Sequence, residues 1–107
     1  MAIRYTRGFL SLVARSDHFV NHGVRLGINS EDEYESLADE FLGGPRKGTT
    51  LQFTRRWNGD IVRYDEVDDV FGVLSGDRFV RTFYRPDPEI HGEPTNLDYY
   101  LCEEAQA

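Results

Sequence analysis

Two histidines four residues apart, His18 and His22 in the stretch DHFVNHG, are the residues of this chain best suited to chemistry. An imidazole whose unperturbed pKa lies near 6.5 exchanges protons close to neutral pH, so a pair can act as acid and base. The same spacing also fits two rings packed against a core, or half of a metal site. As metal ligands the pair lacks the glutamate of a His-Glu-x-x-His helix, and the lone Cys102 supplies no cysteine-based zinc set. The third histidine, His91, lies in the proline-rich stretch PDPEIHGEP and reads as exposed. The spacing alone leaves all three alternatives open.

The charge pattern bears on what such a site could hold. The net charge of −7 argues against a protein that coats nucleic acid nonspecifically. Yet the segment 44–63 carries Arg46, Lys47, Arg55, Arg56 and Arg63 against Asp60 alone, a local excess of four positive charges. By contrast, the segment 31–40 holds six acids and no base. Fields are set by nearby charges as well as by the total, so a basic strip on an acidic body can still hold an anion.

A chain of 107 residues is expected to form one domain spanning 1–107, hiding roughly two-thirds of its unfolded surface. No apolar run approaches the length of a membrane span. The N-terminal stretch has arginines before GFLSLVA, but that run is short, interrupted by Ser11 and closed by Arg15, unlike a secretory leader. Together with the single cysteine, this points to a cytoplasmic site of action and to no membrane partner.

The elements that must position the histidines can be read in outline. Residues 3–14 fit either a strand and turn or the start of a helix. Ser16 or Asp17 can cap a short helix over His18–His22, with Gly23 as a left-handed stop, which would place both rings on one face. Ser30 and Glu33 form a capping box, and Tyr34, Leu37, Ala38, Phe41 and Leu42 recur at helical spacing until Gly43-Gly44-Pro45.

Beyond residue 48 the texture is that of strands. TTLQFTRRW and DIVRYD flank Asn58-Gly59, and VFGVLS and RFVRTFYR flank Gly76-Asp77, which predicts two hairpins joined by the acidic turn EVDD. LDYYLC would add an edge strand. The expected fold is α+β, with short N-terminal helices packed on a four- to five-stranded antiparallel meander. Pairing Trp57 with Asp60, Asp65 with Val70 and Ser75 with Arg78 assigns Leu51, Phe53, Arg55, Trp57, Val62, Tyr64, Phe71, Val73, Val80, Thr82 and Tyr84 to one face. The other face would carry Arg56, Ile61, Arg63, Val70, Leu74, Phe79, Arg81 and Phe83. That register parts Thr82 and Tyr84 from Arg63 and Arg81.

Taken in order, HFVNHG, SEDEYESLADEFL, NGDIVRYD, FGV and RTFYRP resemble the small nuclease toxins of the barnase/EndoU/colicin/RelE-like fold, of the prophage and polymorphic-toxin type. The likeness spans roughly residues 18–101. It departs from the usual pattern at Asp68-Asp69, where such toxins often carry Thr-Asn, and in the acidic balance of the chain. The resemblance implies metal-independent ribonuclease activity on cellular RNA, tRNA among the candidates, with no cofactor. It also implies an immunity protein or antitoxin as partner, and delivery by another cell or phage as one route to the substrate.

Carried over by position, the residues in question are His18, His22, Arg63, Tyr64, Arg81, Thr82 and Tyr84. RNA cleavage of this kind uses the 2′-hydroxyl as nucleophile. His18 and His22 would move protons, and Arg63 would stabilise the phosphorane with its planar fork. Thr82 and Tyr84 would donate hydrogen bonds to phosphate oxygens. Lys47, Arg55, Arg56, Tyr64 and Arg81 would contact substrate. The contrasting reading is a noncatalytic acidic binding module on the same scaffold, immunity-like or regulatory.

Overall fold

The computed structural model describes residues 4–107. The ambiguous stretch 3–14 resolves, beyond Ile3, which lies outside the described residues, into an extended segment and then a helix. Residues 7–9 run along the edge of the last strand: Arg7 donates to the Arg78 carbonyl, Val80 donates to the Gly8 carbonyl, and Phe9 bridges Val80 in parallel. Helix α1 follows over Leu12–His18. Its cap is Ser11, whose hydroxyl accepts from the Ala14 amide at 3.1 Å. The expected cap at Ser16 or Asp17 is therefore corrected: the helix begins earlier, because Ser11 is the extended residue able to turn its side chain onto the orphan amides.

The chain then widens into a π turn over Phe19–Gly23, closed by the Val24 amide on the Phe19 carbonyl at 3.2 Å. Gly23 is not a left-handed stop; Gly27 takes that conformation, with φ of 76°. What Gly23 provides is space. A Cβ there would lie 2.6 Å from the Phe19 ring and 3.1 Å from the Tyr34 ring, so only glycine lets this turn sit flush on its neighbours.

Helix α2, Glu31–Gly43, forms as its capping box predicts, with Ser30 Oγ accepting from the Glu33 amide at 3.1 Å and three acids in the first turn. Tyr34, Ala38 and Leu42 are buried along one stripe, while Leu37 sits at its rim. Asp39 is buried as well. Its carboxylate accepts from the Tyr5 and Thr6 amides and from the Thr6 hydroxyl, which ties down the N-terminal segment.

Four strands, β1 (Thr50–Thr54), β2 (Ile61–Asp65), β3 (Val70–Leu74) and β4 (Val80–Tyr84), form an antiparallel meander in the order β1-β2-β3-β4. Asp65 pairs with Val70 as expected. Both hairpins differ from the expected register. Phe53 pairs with Val62 rather than with Tyr64, because the first turn closes between Arg55 and Asp60 with Gly59 left-handed at φ 76°. The second closes between Ser75 and Phe79, and it is Arg78, not Gly76, that takes positive φ, at 74°. Most shifts are by two residues and leave the faces unchanged. Val80 and Arg81 are the exceptions: an irregularity opposite Val73 and Leu74 turns Val80 to the other face and leaves Arg81 unpaired in the ladder.

The stretch read as a fifth strand is helix α4, Asn96–Ala105, capped by Thr95 on the Asp98 amide. A short helix α3, Pro88–His91, precedes it. The sheet is thus covered on both faces. The α2 side buries Phe9, Tyr34, Leu42, Val70, Leu74, Val80 and Phe83, and the α4 side buries Val62, Tyr64, Phe71, Val73 and Tyr100. The fold is α+β, as its pattern implies, with four α-helices among the described residues rather than an N-terminal set alone.

Arg63 locks β2 to the end of α2. Its guanidinium donates to the Phe41 and Gly44 carbonyls at 2.9 and 2.8 Å and to Gln52 Oε1 at 2.7 Å. Those carbonyls belong to the helix end, where no amide is left to satisfy them. Arg63→Met should lower the unfolding free energy by about 2 kcal/mol, since it strips a charged donor from half-buried acceptors. Urea denaturation checks this; a loss under about 0.5 kcal/mol would mean that water serves the same carbonyls.

Candidate functional site

The extra residue of the π turn and the close approach at Gly23 bring His18 and His22 to the edge of β4. There the rings form a row. Phe9 stacks on His18 with centroids 5.4 Å apart, His18 lies 5.6 Å from His22, and His22 lies 5.1 Å from Tyr84. The Tyr84 hydroxyl meets the Tyr99 hydroxyl at 2.9 Å, and the Tyr99 ring stacks on His91 at 4.5 Å and 13°. Residues from α1, the π turn, β4, α3 and α4 thus form one succession of contacts, and it contains all three histidines.

The imidazoles of His18, at the end of α1, and of His22, in the π turn, are half-buried and packed against other rings. Burial lowers the pKa of His18, with Asp17 opposing it in part. Burial also lowers that of His22, helped by His18 and by the Arg25 guanidinium. Neutral imidazoles are proton acceptors, which a general base requires. His18 Nδ1 is buried without a hydrogen-bond partner among the described residues. Tyr84 shifts the opposite way: burial and the Tyr99 hydroxyl raise its pKa, so it remains a protonated donor.

His91 is half-buried, not exposed, and its tautomer can be read from its partners. Nδ1 accepts from the Glu93 amide at 3.0 Å, so the proton resides on Nε2, 2.9 Å from Asn96 Oδ1. That assignment agrees with Asn96 Nδ2 donating to Asp69 Oδ1 and to the Pro86 carbonyl. His91 is held in place by its neighbours and has no nitrogen left to offer.

The expected site residues divide between two environments. His18, His22 and Tyr84 come together. Thr82 shares the Tyr84 side of β4, one residue pair away, and Arg55 lies close enough to act on the Tyr84 hydroxyl electrostatically. Arg55 and Arg81 converge on the buried carboxylate of Asp60, at 3.7 and 2.9 Å, and Arg55 also pairs with Glu103 at 3.2 Å. The irregularity in β4 is what allows Arg81 to reach the same acid as Arg55. Arg63 sits on the other side of the sheet, at the end of α2.

Three more candidates lie apart from the row. Tyr64 is buried, with its hydroxyl donating to Asp69 Oδ1 at 3.0 Å. Arg56 is exposed in the first hairpin turn beside exposed Trp57. Lys47 pairs with Asp68 at 2.6 Å, at the rim of a groove of about 380 Å³ on the α2 side. Asp69 of the unusual acidic pair adopts φ of 54°, a conformation that Asp and Asn tolerate better than other residues do.

Arg25 was not anticipated. It stands three residues after His22, close enough to depress that imidazole, and pairs loosely with Asp87 at 3.6 Å. The visible signal was its position one turn beyond His22 in HGVR. Among the described residues, no group of three or more His, Cys, Asp or Glu side chains is placed to hold a metal, and no helix is long and apolar enough to cross a membrane.

No protein-family profile matches this chain, and no curated protein sequence matches it either.

The depressed imidazoles carry a signature in stability. Their folded pKa values lie below the unfolded value of 6.5, so the unfolded chain takes up protons first. The stabilisation is complete above about pH 6.5 and is lost as pH falls through the folded values. Urea midpoints measured from pH 7.5 to 5 should fall, and should fall less in the His18→Gln/His22→Gln double variant. Parallel curves for the two proteins would contradict the assignment.

Proposed function

We propose that this chain is a metal-independent endoribonuclease acting on cellular RNA, and that the His18–His22–Tyr84 row does its chemistry. The observation that carries the reading is the meeting of two proton-accepting imidazoles with a proton-holding phenol on one strand edge. A neutral His22 takes the proton from a ribose 2′-hydroxyl. The 2′-oxygen attacks phosphorus, the bond to the 5′-oxygen breaks, and a 2′,3′-cyclic phosphate forms. The leaving 5′-oxygen receives a proton from Tyr84, while Arg25 and the Thr82 hydroxyl stabilise the charge on the nonbridging oxygens. The protonated His22, flanked by His18, then returns its proton to the Tyr84 phenolate through solvent. Arg55 and Arg81, already matched by Asp60, support Tyr84 and the strand rather than grip substrate.

In this reading the substrate is RNA, tRNA included, and the site of action is the cytoplasm. A toxin with this activity needs an immunity protein or antitoxin over the row. Purified protein incubated with total tRNA in chelator should generate fragments ending in 2′,3′-cyclic phosphate. His22→Ala and Tyr84→Phe should each slow cleavage about 100- to 1,000-fold. Intact tRNA after prolonged incubation would remove the proposal, as would cleavage indifferent to both substitutions.

One observation favours the second reading, an acidic binding module without catalysis. Lys47 and Arg55, two of the five cations of the basic strip, are each countered by a carboxylate, so part of that strip is neutralised in the fold. Harmless overexpression in growing cells, together with a stable complex with a basic protein, would favour it over the enzyme.

A further inference from the structure

We infer that the groove on the α2 side is a nucleobase subsite, holding one base of single-stranded RNA beside the bond cut at the ring row; this rests on the ribonuclease reading above. At about 380 Å³ the groove falls within the usual range of roughly 300–1,000 Å³ for small-molecule sites. Its floor contains Phe41 and Phe83, whose rings lie 5.5 Å apart, with Leu26 alongside. An unstacked base has flat apolar faces that such rings accept and polar edges that must still find partners.

The rim is charged in a way that orients the occupant. Lys47 is matched by Asp68, and Arg85 is held on the Asp68 and Asp69 carbonyls at 3.1 Å each. Arg46 has neither an ion pair nor a hydrogen bond among the described residues, so its guanidinium is free for a phosphate. Glu40 also lines the groove, and its carboxylate accepts no hydrogen bond from a described residue. A carboxylate repels phosphate and accepts from base N–H groups. The occupant fitting both is a base edge turned toward Glu40 with its phosphate toward Arg46.

The groove also lies near the row. The Leu26 amide donates to the His22 carbonyl at 3.3 Å, and Phe83 directly precedes Tyr84, the two facing opposite sides of the edge strand β4. One wall of the groove therefore begins a single helical turn from the imidazole assigned as base. Successive nucleotides can cross the edge of β4 from one site to the other.

The test is an amide NMR titration of the full chain with 2′-O-methyl dinucleotides, which lack the attacking hydroxyl. Shifts are expected at Leu26, Phe41, Phe83 and Arg85. A counterpart lacking one base should bind about tenfold more weakly. Arg46→Glu and Leu37→Trp, the latter narrowing the groove from its exposed wall, should each cost about tenfold in affinity. Shifts confined to other surfaces, equal binding of the abasic probe, or unchanged affinity in both variants would overturn the subsite. The two ideas fail separately. Cleavage of tRNA with no response in the groove removes the subsite alone, whereas groove binding without cleavage sustains the subsite and removes the nuclease.

Discussion

Tyr34 is the point at which helix, turn and sheet are joined, and the ring row depends on it. The side chain is wholly buried, and its hydroxyl donates to the Phe83 carbonyl of β4. Its ring packs on Phe9 at 5.7 Å, on Phe83 at 5.7 Å and edge-on to Phe19 at 6.1 Å. A buried phenol must place its hydroxyl on an acceptor, so Tyr34 fixes the height of α2 over β4 as well as filling volume. Gly23 closes against the same ring. The π turn therefore takes its position from α2, and the imidazoles take theirs from the turn. Such turns cost helical regularity and often mark sites where side-chain direction matters more than local stability.

Charge is organised by the same economy of buried acceptors. Asp60 and Asp65 are almost completely buried, and each is surrounded by donors: Arg55 and Arg81 for the first, Thr49, Thr50 and two turn amides for the second. A buried carboxylate without such partners would be expensive, so Arg55 of the basic strip serves, with Arg81, as counterion to Asp60. Arg63 serves the carbonyls at the end of α2 for the same reason. What remains at the edge of β4 is lightly charged. Two neutral imidazoles, two phenols and one loosely paired arginine occupy it.

This division explains which parts of the structure the sequence discloses. His18, His22 and Tyr84 were legible because the first two lie one turn apart and the third ends a clear strand. Arg63 was not, because a guanidinium in a strand reads alike whether it faces phosphate or a helix end; the carbonyls that claim it are about twenty residues away. The hairpin registers slipped because each turn is set by the residue that accepts positive φ. Arg78 took that place over Gly76, a choice that depends on its bond to the Tyr5 carbonyl at 2.5 Å. LDYYLC was misread because short apolar runs carry no decisive period. Thr95 and Asp98, spaced as a helix cap, held the missing clue.

The acidic balance of the chain need not oppose a polyanionic substrate, given where the acids stand. Six of them lie on α2, and of these Asp39 faces inward to the N-terminal amides while Glu31, Asp32 and Glu35 engage Arg15 and Arg4. Within a Debye length of roughly 8 Å at physiological ionic strength, the ring row is influenced by nearby charges, Asp17 and Arg25 at the imidazoles and Glu103 and Arg55 at Tyr84, rather than by the total charge. On the proposed reading, a site of this kind would discriminate at contact, through stacking and fitted hydrogen bonds. It also keeps its imidazoles unprotonated without help from a strong positive field, because burial against Phe9 and Tyr84 supplies the same bias. Proton-accepting character at the row is thus a consequence of aromatic packing, and the packing in turn follows from Tyr34 and Gly23.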